Sequence, residues 1–320
     1  MNWYAIASYD QGQGPQAALV LGDALYDAAA VAKACDMSEH PLQSGTQAAV
    51  EQWSCSAPKI AAMAHALQML VARGAIKPLS LGSYKLCAPY RPRRIFGAAS
   101  NYYEHAKEMG TKLAARSESA PYVFMKADTS VIASEEDVVK PDNTVKLDWE
   151  IELGVVIGRE CRNVSIEHAL DVVAGYTVFN DISARDLNRR SDYPFTHDWF
   201  RGKSFDTFGP MGPWLVPRDC IENPQALRMR LSVNEQMMQD DSTSGMVFNI
   251  AEQIAYLSSM LTLRPGDLIA TGTPTGVGMA RGVFLQPGDV MIASIDGIGS
   301  IRNRVVAAST AAASAELAIG

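Results

Sequence analysis

The sequence predicts a β-rich α+β fold, with a curled or barrel-like mixed sheet in a large domain and a small α+β module before it. Short apolar segments recur between Gly, Pro, Asp and Asn residues, a pattern typical of strands joined by turns. The strict alternation of strands and helices found in Rossmann and TIM-barrel folds is missing. A proline-rich junction at 89–92 separates two regions of different composition. We therefore predict a module over 1–90, a main domain over 91–308 and a flexible Ala/Ser-rich tail over 309–320.

The predicted module begins with strands at 2–9, 17–21 and 24–26 around a glycine-rich turn. Two Ala-rich helices follow, at 28–34 and 60–73, and the second has its apolar residues at helical spacing. No group of side chains that could perform chemistry is visible in this module. We therefore expect the function to reside in the main domain.

The main domain is predicted to contain many short strands and two helices. One helix spans 101–109, and an amphipathic helix spans 249–261. The small polar residues of 113–120 indicate a loop or lid, and the Gly/Pro-rich segment 201–213 indicates a second loop. The predicted strands cover 95–99, 121–126, 131–134, 147–157, 172–180, 228–234, 267–271 and 289–295.

The composition is that of a globular protein and disfavours several classes of function. A net charge of −7 over 320 residues argues against non-specific nucleic-acid binding, which needs a basic surface. No apolar run approaches the ~20 residues of a membrane helix, and no basic and apolar leader is visible. The five cysteines are widely spaced and form no CxxC pair, which favours free thiols in a reducing compartment. We therefore expect a cytoplasmic protein without a nucleic-acid or membrane partner.

Two glutamates one residue apart carry the strongest chemical signal. Glu150 and Glu152 share one face of the predicted strand, because side chains alternate along a strand, and Asp181 follows the next predicted strand. An exposed sheet face is the alternative for such a pair, but the strand continues into 155–157, which is apolar on both faces and indicates burial. Buried carboxylates are usually paired or bind a metal. Three oxygen ligands without cysteine or clustered histidine favour Mg²⁺ or Mn²⁺.

His105 and Glu108 form a second candidate group. On the predicted helix, positions three apart lie on one face. A carboxylate beside an imidazole orients the ring, as a general base requires. A surface ion pair is the alternative for these two residues when they are considered alone.

Two further segments could bind an anion. Lys203 lies in the Gly/Pro-rich, aromatic segment and could bind a carboxylate or stabilise an oxyanion. The segment 270–278 offers backbone N–H groups and hydroxyls, but it lacks the GxxxxGK[ST] pattern and is not a P-loop. A solvated lysine and a plain glycine-rich turn are the respective alternatives.

Taken together in their order along the chain, these motifs resemble the fumarylacetoacetate hydrolase superfamily over 92–308. The first 90 residues are similar to the variable amino-terminal module that many members carry. The stretches that carry the resemblance are Asn101-Tyr102 with His105 and Glu108-Met109-Gly110, Asp148–Leu153, Asn180–Asp186, Lys203–Pro210 and Thr271–Gly278.

The resemblance implies a β-rich catalytic fold, usually a homodimer, with one Mg²⁺ or Mn²⁺ in each site. Carried over by motif, the metal ligands are Glu150, Glu152 and Asp181. His105 and Glu108 are the dyad that activates water.

The resemblance also implies that Lys203 stabilises developing negative charge and that Arg185 and Thr273 contact the substrate. The chain departs from the family pattern at Asn188, where relatives often have a longer Gln that helps to place water or substrate. It also departs at 98–100, where Ala-Ala-Ser replaces a more usual Gly-Leu pair.

The resemblance implies an enzyme that uses a divalent metal to hydrolyse a C–C bond in a 2,4-dioxo acid, an acylpyruvate or a fumarylpyruvate-like compound, in aromatic or keto-acid catabolism. A metal that binds two oxygens of such an acid stabilises the carbanion that leaves when the bond breaks. Three alternatives remain at this point: an oxaloacetate decarboxylase, a hydratase or isomerase of an unsaturated 2-oxo acid, and a member of the fold that binds without catalysis.

Overall fold

The structure, a computed structural model, describes residues 3–309 and 311. The predicted tail over 309–320 therefore lies outside the described residues, apart from 309 and 311. Strands dominate the described part, so the predicted β-rich α+β class is confirmed. None of the helices in this part of the chain is both long and apolar enough to span a lipid bilayer.

The amino-terminal region folds as three antiparallel strands, three helices and a returning strand. Helix α3 already begins at Trp53 rather than at the predicted residue 60, and Ile60, Met63 and Leu67 form its buried face. The elements are β1 (Ala5–Asp10), β2 (Gln16–Leu21), β3 (Ala24–Asp27), α1 (Ala28–Ala34), α2 (Gly45–Glu51), α3 (Trp53–Ala72) and β4 (Lys85–Cys87).

The remainder of the chain supplies most of the sheet structure. Its elements are β5 (Ile95–Ala99), α4 (Tyr103–Glu108), β6 (Tyr122–Lys126), β7 (Val131–Ile132), β8 (Val138–Lys140), β9 (Leu147–Asp148), β10 (Ile151–Ile157), β11 (Val173–Asn180), β12 (Ser183–Ala184), α5 (Trp199–Lys203), β13 (Gly209–Pro217), β14 (Arg228–Val233), β15 (Gln236–Ser242), α6 (Ile250–Met260), β16 (Leu268–Ala270), α7 (Gly278–Arg281), β17 (Val290–Ile295) and β18 (Gly299–Ala307).

A large mixed sheet joins both regions of the chain. Its order is β3-β2-β1-β13-β11-β10-β16-β5-β6, with β4 added at β1 and β7 added at β13. Strands from both sides of residue 90 thus share one sheet through the pairing of Ile6 with Leu215, while the domain boundary itself stays a prediction. A second sheet has the order β15-β14-β17-β18-β8. Among the described residues, each sheet ends in edge strands and does not close on itself.

The strands β10 and β11 lie at the centre of the molecule and are buried at every residue. On one face of β10, Ile151, Leu153 and Val155 belong to the apolar cluster that includes the second sheet. On the other face, Val156 joins the cluster formed with helix α3. The candidate site lies at the end of this strand pair, which is buried on both faces.

Two sequence-based predictions differ from the structure. The segment 201–213, predicted as a loop, contains the end of α5 and the start of the fully buried strand β13. Its glycines and prolines obscure the strand in the sequence, and the ladder from β13 to β11 accommodates them with a register shift between Tyr176 and Val178.

The predicted strand 147–157 is interrupted between β9 and β10. At this break, side chains rather than a neighbouring strand accept the backbone N–H groups. Asp148 accepts from Trp149 at 2.8 Å, Asn180 from Glu150 at 3.0 Å and Gln239 from Ile151 at 3.0 Å. The interruption lets the chain turn while its buried backbone donors stay paired.

Candidate active site

Three carboxylates converge at the end of the strand pair β10 and β11. The antiparallel register pairs Ile151 with Asn180, so Glu150 precedes one strand opposite Asp181, which follows the other. The Asp181 N–H donates to the Glu150 carbonyl oxygen at 2.8 Å. One carboxylate oxygen from each of Glu150, Glu152 and Asp181 lies within 4.8 Å of the other two, and all three residues are buried. The structure thus brings the three predicted ligands together.

Buried cations neutralise two of these carboxylates. Lys203 Nζ lies 2.5 Å from an oxygen of Glu150 and 2.5 Å from an oxygen of Asp181. Arg185 Nη2 lies 2.5 Å from the other Glu150 oxygen. Burial alone would raise the pKa of Glu150, but Arg185 and then Lys203 favour its charged form and lower the pKa to about 2. Burial alone would lower the pKa of Lys203, but Asp181 and Glu150 outweigh it and raise that pKa.

Glu152 has no comparable partner. Among the described residues, no Lys, Arg or His nitrogen lies within 4.0 Å of its carboxylate, which accepts a hydrogen bond from the Gly272 N–H at 2.8 Å. Burial, together with the charges of Asp181 and Glu150, raises the pKa of Glu152 well above its usual value. A buried carboxylate in this position is relieved by a proton or by a metal ion. The all-oxygen donor set and the uncompensated charge fit Mg²⁺ or Mn²⁺.

Lys126 is a candidate functional residue that the sequence motifs do not indicate. Its Nζ lies 2.7 Å from the second oxygen of Asp181, and its side chain is buried. Burial lowers the pKa of Lys126, and the attraction of Asp181 opposes this effect. The sequence signal that could identify Lys126 is the alternation along β6, which places its side chain on the same strand face as Tyr122 and Phe124.

Asp148 is a second candidate functional residue that the sequence motifs do not indicate. Its buried carboxylate accepts hydrogen bonds from Arg185 Nε at 2.7 Å and from the N–H groups of Trp149, Gly278 and Met279 at 2.8, 2.6 and 2.9 Å. Because Arg185 bridges Asp148 and Glu150, its guanidinium is held in one orientation beside the triad.

The glycine-rich segment 270–278 binds anions, but these anions are carboxylates of the protein itself. Its N–H groups donate to three of them: Gly272 to Glu152 at 2.8 Å, Gly276 to Glu108 at 2.9 Å and Gly278 to Asp148 at 2.6 Å. Its hydroxyl at Thr273 donates to the Ile151 carbonyl oxygen at 2.9 Å and accepts from the Gln239 amide at 2.9 Å. The segment therefore positions acidic side chains of the site.

The predicted His105–Glu108 pair forms within α4. His105 Nδ1 lies 2.8 Å from Glu108 Oε1, and the imidazole is buried. The Glu108 carboxylate also accepts from the Gly276 N–H, so the residue that orients the imidazole is itself fixed by the glycine-rich segment. This arrangement holds the second imidazole nitrogen in a defined direction.

A cavity of about 410 Å³ connects these groups. Asn188 is buried in its wall, and its Oδ1 atom has no hydrogen-bond partner among the described residues. This oxygen packs against Gly202, and a Cβ atom added at Gly202 would lie 1.6 Å from it. Asp181 and Glu108 lie behind the cavity wall, in contact with Lys203 and His105 respectively. The other predicted site residues line the cavity: His105, Glu150, Glu152, Arg185, Asn188, Lys203 and Thr273.

Comparison with known proteins gives matches to both the sequence and the fold. Residues 94–306 match the family described as Fumarylacetoacetate (FAA) hydrolase C-terminal. The fold is similar to fumarylacetoacetate hydrolase from Exiguobacterium antarcticum, with 30% identity, a TM-score of 0.75 and coverage of 95% of this chain and 99% of that chain.

Two other solved structures are similar over the same extent. Maleylpyruvate hydrolase from Sphingobium sp. SYK-6, in complex with manganese(II) and pyruvate, has 28% identity and a TM-score of 0.71, with 95% of this chain and 99% of that chain covered. The 2-hydroxyhepta-2,4-diene-1,7-dioate isomerase from Mycobacterium marinum has 27% identity and a TM-score of 0.68, with 95% and 98% covered. The similar proteins thus include hydrolases and an isomerase.

We expect Glu150→Gln and Glu152→Gln to change the stability of the metal-free protein in opposite directions. Glu150→Gln should lower the free energy of unfolding by about 3 kcal/mol, because it removes one of the two buried carboxylates that Arg185 and Lys203 each contact. Glu152→Gln should raise it by about 1 kcal/mol, because it removes an uncompensated charge and keeps an acceptor for Gly272. Urea unfolding followed by circular dichroism in EDTA measures both changes.

The two effects should depend on pH in opposite senses. The pKa of Glu150 is lowered from 4.5 to about 2, so its stabilisation is complete above pH 4.5 and is lost as the pH falls towards 2. The pKa of Glu152 is raised above 4.5, so the folded state loses stability as the pH rises above that value. The gain from Glu152→Gln should therefore be larger near about pH 8 than near about pH 5. A loss of stability in this variant near about pH 8 would contradict the uncompensated charge.

Proposed function

Because the chain belongs to the fumarylacetoacetate hydrolase family, we propose that it is a divalent-metal-dependent hydrolase that cleaves a C–C bond in a 2,4-dioxo acid. An acylpyruvate or a fumarylpyruvate-like compound is the proposed substrate. One observation carries this proposal: two carboxylates of an acidic triad with an uncompensated charge line the same cavity as an imidazole oriented by a carboxylate.

The proposed metal site consists of Glu150, Glu152 and Asp181. When bound there, Mg²⁺ or Mn²⁺ would act as a Lewis acid towards the oxygens of the keto acid. The substrate would lie in the cavity with its carboxylate towards Arg185 and Thr273. The solved structure of maleylpyruvate hydrolase with manganese(II) and pyruvate supports this choice of metal and ligand class.

In the proposed reaction, His105 removes a proton from a water molecule, and the resulting hydroxide adds to the substrate carbonyl farther from the carboxylate. Glu108 holds the imidazole in the required orientation through its contact with Nδ1. Lys203, whose ammonium lies beside the triad, faces the oxygen on which negative charge develops. The bond between the attacked carbonyl carbon and the neighbouring CH₂ carbon then breaks. Its electron pair remains on the pyruvate fragment, which takes up a proton, and the other product is a carboxylic acid.

Isomerisation of an unsaturated 2-oxo acid is the second candidate function, because one of the similar solved structures is an isomerase. Isomerisation moves a proton within the substrate and consumes no water. His105, which lines the cavity and is oriented by Glu108, could act as the base in either reaction. Because this geometry does not distinguish the two reactions, we favour hydrolysis on the similarity to the two hydrolases. We also propose a homodimer, on the family resemblance alone.

We expect the protein to release pyruvate from acylpyruvates in the presence of Mg²⁺ or Mn²⁺ and to lose this activity on chelation. A lactate-dehydrogenase-coupled assay on acylpyruvates, fumarylpyruvate and oxaloacetate measures the release. Metal should also raise the melting temperature of the parent protein but not that of Glu150→Gln, because ligand binding to the folded state alone stabilises it. Pyruvate release from oxaloacetate alone would favour decarboxylation and contradict the proposal.

We expect His105→Ala to lower kcat for acylpyruvate hydrolysis by about 10²–10⁴-fold, the usual contribution of a general base. The metal-induced rise in melting temperature should persist, because His105 is not a proposed ligand. His168→Ala is the matched control, since His168 pairs with Asp171 at the same i,i+3 spacing but on the exposed surface. Parental turnover in His105→Ala would show that His105 is not the base.

A further inference from the structure

A second chamber of about 350 Å³ lies beside the cavity that Glu150 and Glu152 line. The two chambers share wall residues, among them Ser100, His197 and Trp199. The segment 111–120, predicted from sequence as a loop or lid, forms much of the outer wall. The outer chamber is therefore adjacent to the cavity at the triad and is within reach of the far end of a substrate bound there.

The two chambers differ in the charge of their walls. The inner chamber is lined by charged side chains of both signs, including Lys203, Arg185 and Glu150. The outer chamber is mostly apolar, with Leu113, Val247 and Phe248 in its wall. The rings of Tyr122 and Trp199, whose centroids lie 5.8 Å apart, form another part of this wall. The outer wall therefore suits a hydrocarbon group, because apolar contacts replace its hydration.

Arg116 is the only lysine or arginine among the described residues of the outer wall, and its charge is already neutralised. Its guanidinium donates to Glu252 and lies 5.9 Å from the centre of the Phe248 ring. Across the described wall there is no aspartate or glutamate. The outer chamber thus offers a paired guanidinium rather than a free cation.

Helix α6 fixes the carboxylate that neutralises Arg116. Glu252 is the third residue of this helix and forms a capping box with Asn249. Its Oε2 accepts from the Asn249 N–H at 2.8 Å, while its Oε1 faces Arg116. Only 18% of its side chain is exposed. The position of the negative charge is therefore set by the helix terminus and not by a free side-chain rotation.

We propose that the acyl end of the substrate occupies the outer chamber and that the Arg116–Glu252 pair selects an uncharged hydrocarbon acyl group over one that ends in a carboxylate. This inference rests on the proposed function, because it assumes that the keto-acid end lies at the triad. A terminal carboxylate would lose part of its hydration, would compete with Glu252 for the half-exposed guanidinium and would be repelled by Glu252. Within the proposed substrate class, the inference therefore favours acylpyruvates over fumarylpyruvate-like dicarboxylates.

The test compares hexanoylpyruvate with 5-carboxypentanoylpyruvate, which differ only in a terminal methyl or carboxylate. With Mn²⁺, the parent protein should show a kcat/KM at least about tenfold higher for hexanoylpyruvate. Glu252→Gln frees the charge of Arg116 and keeps an amide that can complete the capping box, so it should lower this ratio about tenfold. The double variant Arg116→Gln/Glu252→Gln should return the ratio towards the parental value, because no net charge remains.

Glu51→Gln is the matched control, because it removes the same charge from an ion pair with Arg93 in the amino-terminal region. It should leave the ratio unchanged. A parental preference for the carboxylate-ended substrate, or a ratio that Glu252→Gln does not alter, would overturn the inference.

Binding measurements separate this inference from the proposed reaction. Calorimetry with 2-oxooctanoate and 2-oxooctanedioate, in the presence of Mn²⁺, reports selection of the tail without any bond cleavage. If 2-oxooctanoate binds more tightly and Glu252→Gln removes this preference while no acylpyruvate is cleaved, the inference holds and the hydrolase proposal fails. If acylpyruvates are cleaved while the two acids bind equally well to both proteins, the hydrolase proposal holds and the inference fails.

Discussion

The burial of three carboxylates at the end of one antiparallel strand pair is the constraint on which the rest of the site depends. The register of β10 and β11 places Glu150 and Asp181 side by side, and the alternation of β10 adds Glu152. Like charges at this separation cannot all be buried without compensation. Lys126, Lys203 and Arg185, which come from three different elements, neutralise Glu150 and Asp181. The packing of β6, α5 and the segment after β12 around the strand pair is thus coupled to this charge.

The glycine-rich segment 270–278 connects the triad to the imidazole. Three of its glycine N–H groups donate hydrogen bonds to the carboxylates of Glu152, Glu108 and Asp148. Glycine is required at position 276, where φ is +100° and an added Cβ atom would lie 2.0 Å from the Met238 carbonyl oxygen. Because the segment holds Glu152 of the triad and the partner of His105, a displacement of its backbone would alter both parts of the site together.

The sequence predicts the acidic residues of the site better than their cationic surroundings. Alternation along a strand puts Glu150 and Glu152 on one face, and helical spacing brings His105 to Glu108; both follow from local geometry. The ion pairs of Lys126 and Lys203 depend on long-range packing, which has no local periodic signal. For a related reason, β13 is not predicted, since its buried position between β1 and β11 follows from the sheet order and not from its Gly/Pro-rich composition.

The charges around the triad determine how many negative charges a substrate can carry. The buried carboxylates of Asp148, Glu150, Glu152 and Asp181 exceed the three cations that contact them by one negative charge. A divalent ion would convert this excess into one positive charge, which a single substrate carboxylate would neutralise. A second carboxylate bound at the triad would need a further cation there. In the outer chamber the available cation is Arg116, and Glu252 already neutralises it. The division of charge between the two chambers therefore matches a keto acid with one charged end and one apolar end.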